Sequence, residues 1–280
     1  MTYRELFEQG RAALKTAGVE EADLDARLLL ESVCHTDRND LLVHGDRTVE
    51  ETDRESYLDL IRRRRSHIPL QYLTGVQEFM GLAFSVNENV LIPRQDTEIL
   101  VEEVLRELHD GMRILDMCTG SGCILISLLH YSNDCRGTGV DISPKALETA
   151  RRNGEVLLKA SDSATWIQSD LFENVSGKYE FIVSNPPYIK SDVIPTLMPE
   201  VKDHEPILAL CGYEDGLHFY RRIATDCREY LVSGGMLYFE IGSDQAEAVS
   251  AILAEAGFRE INVVKDYAGL DRVVYGTYIA

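Results

Sequence analysis

The sequence predicts an α/β fold: a doubly wound, Rossmann-like parallel sheet that follows a small all-helical domain and ends in an antiparallel hairpin. Three observations predict it. From residue 113 onward, short apolar runs alternate with stretches of helical length, which is typical of strands joined by crossover helices. Residues 1 to 72 carry only helical periodicity. The last two apolar runs, 261–264 and 272–278, are joined by a short loop without a helix, which indicates antiparallel pairing.

Four helices are predicted before residue 72. Two of them begin with a Thr-x-x-Glu capping box, in which each side chain binds the backbone N–H of the other residue. The predicted features are a box at Thr2 and Glu5, a cap at Asp23, a short helix over 38–43, and a box at Thr52 and Glu55. Together these features predict a compact helical bundle.

The basic run Arg62–Arg65 ends the fourth predicted helix. Positive charge at a helix C-terminus is favourable with the helix dipole, and charge runs are usually solvated. We therefore interpret the run as a solvated face. Contact with the phosphates of a ribonucleoprotein partner is the alternative.

The segment after the bundle changes in character. Two short apolar runs, 82–86 and 90–92, flank Asn87-Glu88-Asn89, which predicts a hairpin with its turn at the asparagines. Residues 93–98 then open a helix that continues to 108. The predicted domains are a helical domain at 1–72, a linker hairpin at 73–93 and a catalytic domain at 94–280.

The elements of the predicted sheet follow in alternation. Strands are expected at 114–115, 139–140, 166–167, 181–183 and 236–241, and helices at 123–131, 144–153, 216–231 and 245–256. The final hairpin completes the sheet. Strands that are connected through helices run parallel, so their carboxyl ends share one edge, where ligands bind in such sheets.

Composition and charge limit the possible functions. The chain has 280 residues, 45% of them hydrophobic, and a formal net charge of -19. Residues 1–72 contain 15 acidic and 11 basic side chains, so most of the acidity lies after residue 72. A protein that binds nucleic acid through its backbone normally shows a basic face, which is missing here. The charge favours a protein substrate with a basic surface.

The cysteines and the apolar segments indicate where the protein works. The six cysteines form no C-x-x-C pair and no zinc-binding spacing, so we expect no metal and interpret them as buried thiols in a reducing compartment. No signal peptide precedes the first helix, and the longest strongly apolar segment, 124–129, is too short to cross a bilayer. We therefore expect a cytoplasmic protein without membrane contact.

A glycine-containing loop follows the first strand of the sheet. Asp116-Met117-Cys118-Thr119-Gly120-Ser121-Gly122 precedes a helix, whose N-terminus favours an anion, and the glycines allow a ligand to approach the backbone. From Gly120 the chain reads Gly-Ser-Gly-Cys-Ile-Leu, which lacks the third glycine of a dinucleotide fingerprint. The anion is therefore expected to be a carboxylate.

Two aspartates follow the next two strands. Asp141 ends the second strand, where a carboxylate accepts hydrogen bonds from ribose hydroxyls. Asp170 follows the third strand and can accept from an adenine amino group, with Leu171 beside the ring. Carboxylate, ribose and adenine together match S-adenosylmethionine. The alternative role of both aspartates is to cap the following helix and turn.

The stretch Asn185-Pro186-Pro187-Tyr188 follows the apolar run 181–183 and carries the predicted chemistry. The Asn185 side-chain carbonyl and the Pro186 backbone carbonyl can accept the two N–H bonds of a planar NH2 group, while the Tyr188 ring lies flat against it. The two prolines, Pro186 and Pro187, stiffen the turn. Adenine, guanine and glutamine all offer such a group. A rigid strand-ending turn is the alternative.

Over essentially its full length the chain resembles the peptide chain release factor N5-glutamine methyltransferases. The matching stretches are Pro69–Gly75, Leu91–Arg94, Asp96–Glu98, the loop from Thr119 to Gly122, Val140–Ser143, Asn185–Tyr188, Glu205–Pro206, Asp215–Leu217, Glu240–Gly242 and Asp271–Val274. Asn-Pro-Pro-Tyr also occurs in nucleic-acid amino methyltransferases. The Ile-Pro-Arg element at 92–94 and the helical domain favour the release factor methyltransferases over those nucleic-acid enzymes.

The resemblance implies methyl transfer from S-adenosylmethionine to the glutamine of the Gly-Gly-Gln loop of release factors. It implies cofactor contacts from the loop 118–122, Asp141, Leu171 and Asn185, and it implies that 185–188 hold the glutamine. The helical domain is then a docking surface for the release factor. The rival function is methylation of adenine N6 or guanine N2 in a nucleic acid, with the base flipped out.

Two positions depart from the family pattern. Cys118 stands where the family usually has glycine, and Gln95 replaces a frequent proline. A cysteine is costly at a position that needs a positive φ and harmless where only its backbone faces the ligand. We expect the harmless case at Cys118.

Overall fold

The computed structural model describes residues 1–279, apart from the side chain of residue 161. The α-helices are α1 Tyr3–Thr16, α2 Ala22–Cys34, α3 Arg38–Val43, α4 Glu51–Arg64, α5 Leu70–Thr74, α6 Glu98–Glu107, α7 Cys123–Tyr131, α8 Pro144–Leu157, α9 Pro199–Lys202, α10 Ile207–Leu210, α11 His218–Asp226 and α12 Ala246–Glu255. The strands are β1 Val76–Phe79, β2 Leu82–Ser85, β3 Arg113–Met117, β4 Arg136–Asp141, β5 Ala164–Gln168, β6 Tyr179–Ser184, β7 Leu231–Glu240, β8 Arg259–Lys265 and β9 Asp271–Thr277.

The chain divides into two compact units. The helical unit comprises residues 1–76 together with the short segment 198–204, and the sheet unit comprises the remainder. Within the described residues no helix is both long and apolar enough to span a membrane.

The helical unit is built from α1 to α5 around fully buried side chains such as Leu6, Leu29 and Tyr57. The capping box at Thr2 is confirmed: Thr2 Oγ1 accepts from the Glu5 backbone N–H at 3.3 Å, and Glu5 Oε2 accepts from the Thr2 N–H at 2.9 Å. The other two predicted caps are wrong. Helix α2 starts at Ala22 and α4 at Glu51, so Asp23 and Thr52 lie inside the first turn, and neither helix has a side-chain cap.

Three residues of the basic run Arg62–Arg65 are exposed and one is buried. Arg62, Arg63 and Arg65 are exposed, as a solvated face requires. Arg64 is buried, and its Nε lies 2.7 Å from Asp25 Oδ2 while its Nη1 lies 3.0 Å from Glu200 Oε1. The prediction of a solvated face is therefore wrong for Arg64, because α4 turns this side chain into the helical unit.

The hairpin predicted between 82–86 and 90–92 is instead formed by residues 76–85. The two paired strands are β1 and β2, so the tight turn falls at Met80-Gly81 and residues 90–92 form no strand. Asn87 instead folds its side chain onto the chain, with Oδ1 accepting from the Asn89 backbone N–H at 2.9 Å and Nδ2 donating to Thr149 at 3.0 Å. The asparagines were correctly predicted to form a turn, but it does not join two strands.

The sheet unit contains a seven-stranded mixed sheet in the order β5-β4-β3-β6-β7-β9-β8. Strands β3 to β7 pair in parallel, and β9 runs antiparallel between β7 and β8. This arrangement confirms the doubly wound sheet and the antiparallel C-terminal hairpin. One boundary differs from the prediction, since Leu231 begins β7 and does not end the preceding helix.

Apolar side chains cover both faces of the sheet. Ile182 of β6 belongs to one buried cluster, while its neighbours Phe181 and Val183 belong to the other. Successive side chains of a strand point to opposite faces, so the two clusters lie on the two sides of the sheet. Helices α11 and α12 contribute to the first cluster, and α6 and α7 to the second.

Candidate active site

A cavity lies at the carboxyl ends of β3, β4, β5 and β6. Of the predicted site residues, Cys118, Thr119, Gly120, Ser121, Asp141, Asp170, Leu171, Asn185 and Pro187 line it, whereas Gly122, Pro186 and Tyr188 do not. The structure therefore brings together nine residues from four separate parts of the chain. The parallel sheet does this because the strand ends that precede these residues share one edge.

Buried hydrogen bonds fix the loop that follows β3. Thr119 Oγ1 donates to the buried carboxylate of Asp116 at 2.6 Å, and Ser184 Oγ donates to the Met117 carbonyl at 2.6 Å. Burial raises the pKa of Asp116 to about 7, against the lowering effect of the Thr119 hydrogen bond. The loop is thus anchored on buried polar groups of β3 and β6.

The backbone at Cys118 contradicts the expectation for this position. Its φ is +63°, in the left-handed region where a β-carbon is unfavourable. Gly120 and Gly122 have φ of +55° and +80°, so three residues of this short loop adopt left-handed conformations. The cysteine is therefore conformationally strained, because the loop turns at its own position.

Asp141 stabilises the same loop from the next strand. Its Oδ2 accepts from the Gly120 backbone N–H and its Oδ1 accepts from the Ser143 N–H, both at 2.9 Å. Burial raises the pKa of this carboxyl, and these backbone hydrogen bonds oppose the shift. Asp141 also lines the cavity. Its predicted contact with a ribose stays a prediction.

Asp170 and Leu171 lie at the third strand end. Leu171 is buried, with a φ of +49°. Asp170 Oδ1 lies 3.0 Å from Nη1 of Arg222, a residue of α11 that also lines the cavity. Both charged groups are about one-third exposed, so this ion pair is solvated.

Asn185 follows β6 and places its side-chain amide at the cavity. Its Nδ2 donates to Thr97 Oγ1 at 3.3 Å. With the nitrogen bound to the protein, the carbonyl Oδ1 is the end of the amide that a ligand can use as an acceptor.

Tyr188 does not line the cavity, and its side chain packs against the buried cluster that contains Ile182. Its hydroxyl donates to Glu240 Oε1 at 3.3 Å, and its backbone carbonyl accepts from Gln245 Nε2 at 3.2 Å. Burial raises the pKa of the Tyr188 phenol, and the nearby charge of Glu240 adds to the shift. Pro186 is buried beside it.

Three residues of this region were absent from the predicted site. Thr97 and Arg222 line the cavity, and Glu240 is a buried carboxyl at the end of β7. Burial raises the pKa of Glu240 to about 7, while Thr97, Arg272 and Tyr188 act in the lowering direction. An acidic residue directly after the apolar run 236–239 was a usable signal for Glu240. Thr97 precedes α6 and Arg222 lies in the middle of α11, and neither position carries a comparable signal.

No group of three or more His, Cys, Asp or Glu side chains with the geometry of a metal site occurs among residues 1–279. The polar side chains that line the cavity include the carboxyls of Asp141 and Asp170, the amide of Asn185, hydroxyls and the guanidinium groups of Arg94 and Arg222. Such a set offers both acceptors and donors to an organic ligand.

Comparison with known proteins places the chain in a family. Family models described as PrmC N-terminal domain and Methyltransferase small domain match residues 5–75 and 94–198. The chain is 42% identical over 279 residues to the release factor glutamine methyltransferase of Clostridium acetobutylicum, covering 98% of both chains. It is 40% identical over 276 residues to the protein of that name in Geobacter sulfurreducens, covering 98% of this chain and 96% of the relative.

A solved structure supports the fold. The sheet resembles a methyltransferase from Pyrococcus furiosus with a TM-score of 0.53 and 15% identity, over 72% of this chain and 91% of that chain. Because the chain aligns with the relatives above over nearly its whole length, it belongs to the release factor glutamine methyltransferase family.

Proposed function

We propose that this protein transfers a methyl group from S-adenosylmethionine to the side-chain amide nitrogen (N5) of the glutamine in the Gly-Gly-Gln loop of peptide chain release factors. Relatives at about 40% identity over nearly the whole chain carry the name of this activity. The cytoplasm is the proposed location, in keeping with six free cysteines.

The observation that carries the proposal is the position of the Asn185 amide. It lies at the same cavity as the glycine-containing loop and the two acidic strand ends, with its nitrogen bound by Thr97. This leaves a carbonyl acceptor at the place where a cofactor site and a planar NH2 group would meet.

The residues present fit S-adenosylmethionine. A β-carbon built on Gly120 would meet no atom within 4 Å, so the loop leaves open space where a ligand can approach the backbone. We assign Cys118–Gly122 to the cofactor's amino-acid end, Asp141 to its ribose and Asp170 with Leu171 to its adenine. When bound, the cofactor supplies an electrophilic methyl group on a sulfonium.

The chain's own contribution is positioning and polarisation. An amide nitrogen is a weak nucleophile because its lone pair is delocalised. Asn185 Oδ1 and the Pro186 backbone carbonyl would accept its two N–H bonds, orient the nitrogen for in-line attack and stabilise the positive charge that it gains. The proton leaves after transfer, so no strong base is required. We propose that Pro187 and Tyr188 keep this turn rigid, and that residues 1–72 dock the release factor.

A direct labelling experiment tests the function. Purified protein is incubated with methyl-labelled cofactor and a release factor, either intact or with its loop glutamine replaced, and the label is located by mass spectrometry. We expect one labelled glutamine, and none after the replacement. Label in nucleic acid from a parallel incubation would instead favour the amino methyltransferase of nucleic acids.

A further inference from the structure

The orientation of the Asn185 amide decides whether it can serve as an acceptor. Its oxygen accepts hydrogen bonds and its nitrogen donates them, so a rotation of 180° would present N–H groups to a substrate NH2. The terminal torsion of asparagine is broad and roughly two-fold, which means that the side chain alone does not select one orientation. A contact outside the Asn-Pro-Pro-Tyr turn must select it.

Thr97 supplies this contact. Its Oγ1 accepts from Asn185 Nδ2 at 3.3 Å, and the residue is 2% exposed and lines the same cavity. It ends the short 3-10 helix Gln95–Thr97 that leads into α6, so its position is set by regular backbone. A hydroxyl can also donate one proton. If Thr97 gave that proton to Asn185, it would bind Oδ1 and turn the amide the wrong way.

Glu240 gives the hydroxyl proton another acceptor. The carboxyl is 1% exposed, and its Oε1 already accepts from the Tyr188 hydroxyl at 3.3 Å. Its Oε2 is buried and has no hydrogen-bond partner in the described part of the chain. A buried carboxyl oxygen needs a hydrogen-bond donor, and an oxygen that does not carry the carboxyl proton can only accept. The Thr97 side chain lowers the pKa of this carboxyl, which is the direction expected of a hydroxyl that can donate to it.

We propose that Thr97 is a positioning residue that acts through Asn185. Its hydroxyl donates its proton to Glu240, so its lone pairs accept from Asn185 Nδ2. This second hydrogen bond turns Asn185 Oδ1 toward the substrate NH2. The identity of that NH2 rests on the proposed function. The orientation of the amide, however, is a property of this chain and can be measured without a substrate.

The kinetic test compares Thr97→Val, which removes the hydroxyl at nearly constant volume, with Thr97→Ser, which keeps it. For Thr97→Val we expect kcat for methyl transfer to fall by about 10- to 100-fold, since a misplaced catalytic group costs rates of this order. The Kd for cofactor, measured by calorimetry, should change by less than about twofold. Thr97→Ser should keep kcat within about threefold. A wild-type kcat in the valine variant, or an equal loss in the serine variant, would overturn the proposal.

A second measurement does not depend on turnover. The side-chain N–H groups of Asn185, assigned in nitrogen-15 spectra by comparison with Asn185→Asp, should be protected from solvent exchange in the wild type and in Thr97→Ser, and unprotected in Thr97→Val. If no release factor is methylated while this pattern holds, the proposed function fails and the positioning role stands. If methylation occurs while all three proteins show equal protection, the positioning role fails.

Discussion

Cys118 combines a left-handed backbone with a side chain that packs against the core of the sheet unit. Replacing it by glycine removes the steric cost of the β-carbon but also the packing of the thiol, so the comparison must be made with Cys118→Ala. Both variants lose the thiol, and only glycine relieves the strained φ. We expect Cys118→Gly to exceed Cys118→Ala in free energy of unfolding by about 1 kcal/mol, as measured by urea denaturation. Equal stability would show that the loop relaxes around alanine.

Asn185 provides the residue-scale test of the chemistry. We expect Asn185→Ala to reduce kcat by about 100-fold or more, because one of two acceptors for the substrate N–H groups is lost in a site that works by positioning. Cofactor binding should be partly retained, since the glycine-containing loop and Asp141 are untouched. Asn133→Ala, at an exposed asparagine of the same unit, is the matched control. Turnover near the wild-type rate in Asn185→Ala would refute the assigned role.

Glu240 gives the protein a pH-dependent stability term. Its pKa is raised by burial from 4.5 to about 7, so the folded state holds the proton more tightly than the unfolded state. This contribution to the free energy of unfolding is complete below about pH 4.5 and is lost as the pH rises to about 7.

Glu240→Gln removes that titration with little change in shape. The difference in unfolding free energy, wild type minus variant, should therefore decrease from pH 5 to pH 7 and level off above it. Urea denaturation at several pH values measures this difference. The raised pKa of Asp116 acts in the same direction in both proteins and cancels in the comparison. A difference that grows with pH would contradict the buried-carboxyl interpretation.

At the scale of elements, the last turn of helix α4 carries both exposed and buried arginines: Arg62 and Arg63 are exposed, and Arg64 is buried. Arg64 binds Asp25 and Glu200 inside the helical unit, and His67 Nδ1 lies 2.9 Å from the same Glu200 oxygen. Replacing Arg64 by methionine would leave the buried Asp25 carboxyl without its ion-pair partner and Glu200 with His67 alone.

We expect Arg64→Met to lower the free energy of unfolding by about 3 kcal/mol, the order found when one partner of a buried ion pair is removed. Arg63→Met, at the exposed neighbouring position, should change it by less than about 0.5 kcal/mol. Thermal and urea unfolding of the two variants provide the comparison. Similar losses in both would mean that helix propensity, and not the ion pair, sets the stability of α4.

Local patterns account for most elements but not for their ends. Strands β3 to β7 and helices α7, α8 and α12 were predictable because a buried sheet needs apolar runs and its crossovers need helical stretches. The caps at Asp23 and Thr52 and the hairpin turn at Asn87 were wrong. Residues that favour caps and turns also bind other partners, and packing chooses between these roles.

At the scale of the whole molecule, charge predicts how the substrate is found. The net charge of -19 favours long-range attraction of a basic surface, and salt screens such attraction. We expect KM for the release factor to rise as KCl is increased from about 50 to 300 mM, with kcat nearly constant. Cofactor Kd over the same range is the control. A KM that falls with salt would show that the acidic surface opposes docking.

The linear order of residues was sufficient to predict the doubly wound sheet, the glycine-containing loop, the strand-end aspartates and Asn-Pro-Pro-Tyr. Each of these is a local pattern, in which neighbours in the chain carry the physical signal. The left-handed φ of Cys118, the burial of Arg64 and the convergence of Thr97 and Glu240 on the Asn185 turn were not predictable in this way. Thr97 lies 88 residues from the asparagine that it binds, and contacts over such a separation arise only when the folded sheet brings its strand ends together.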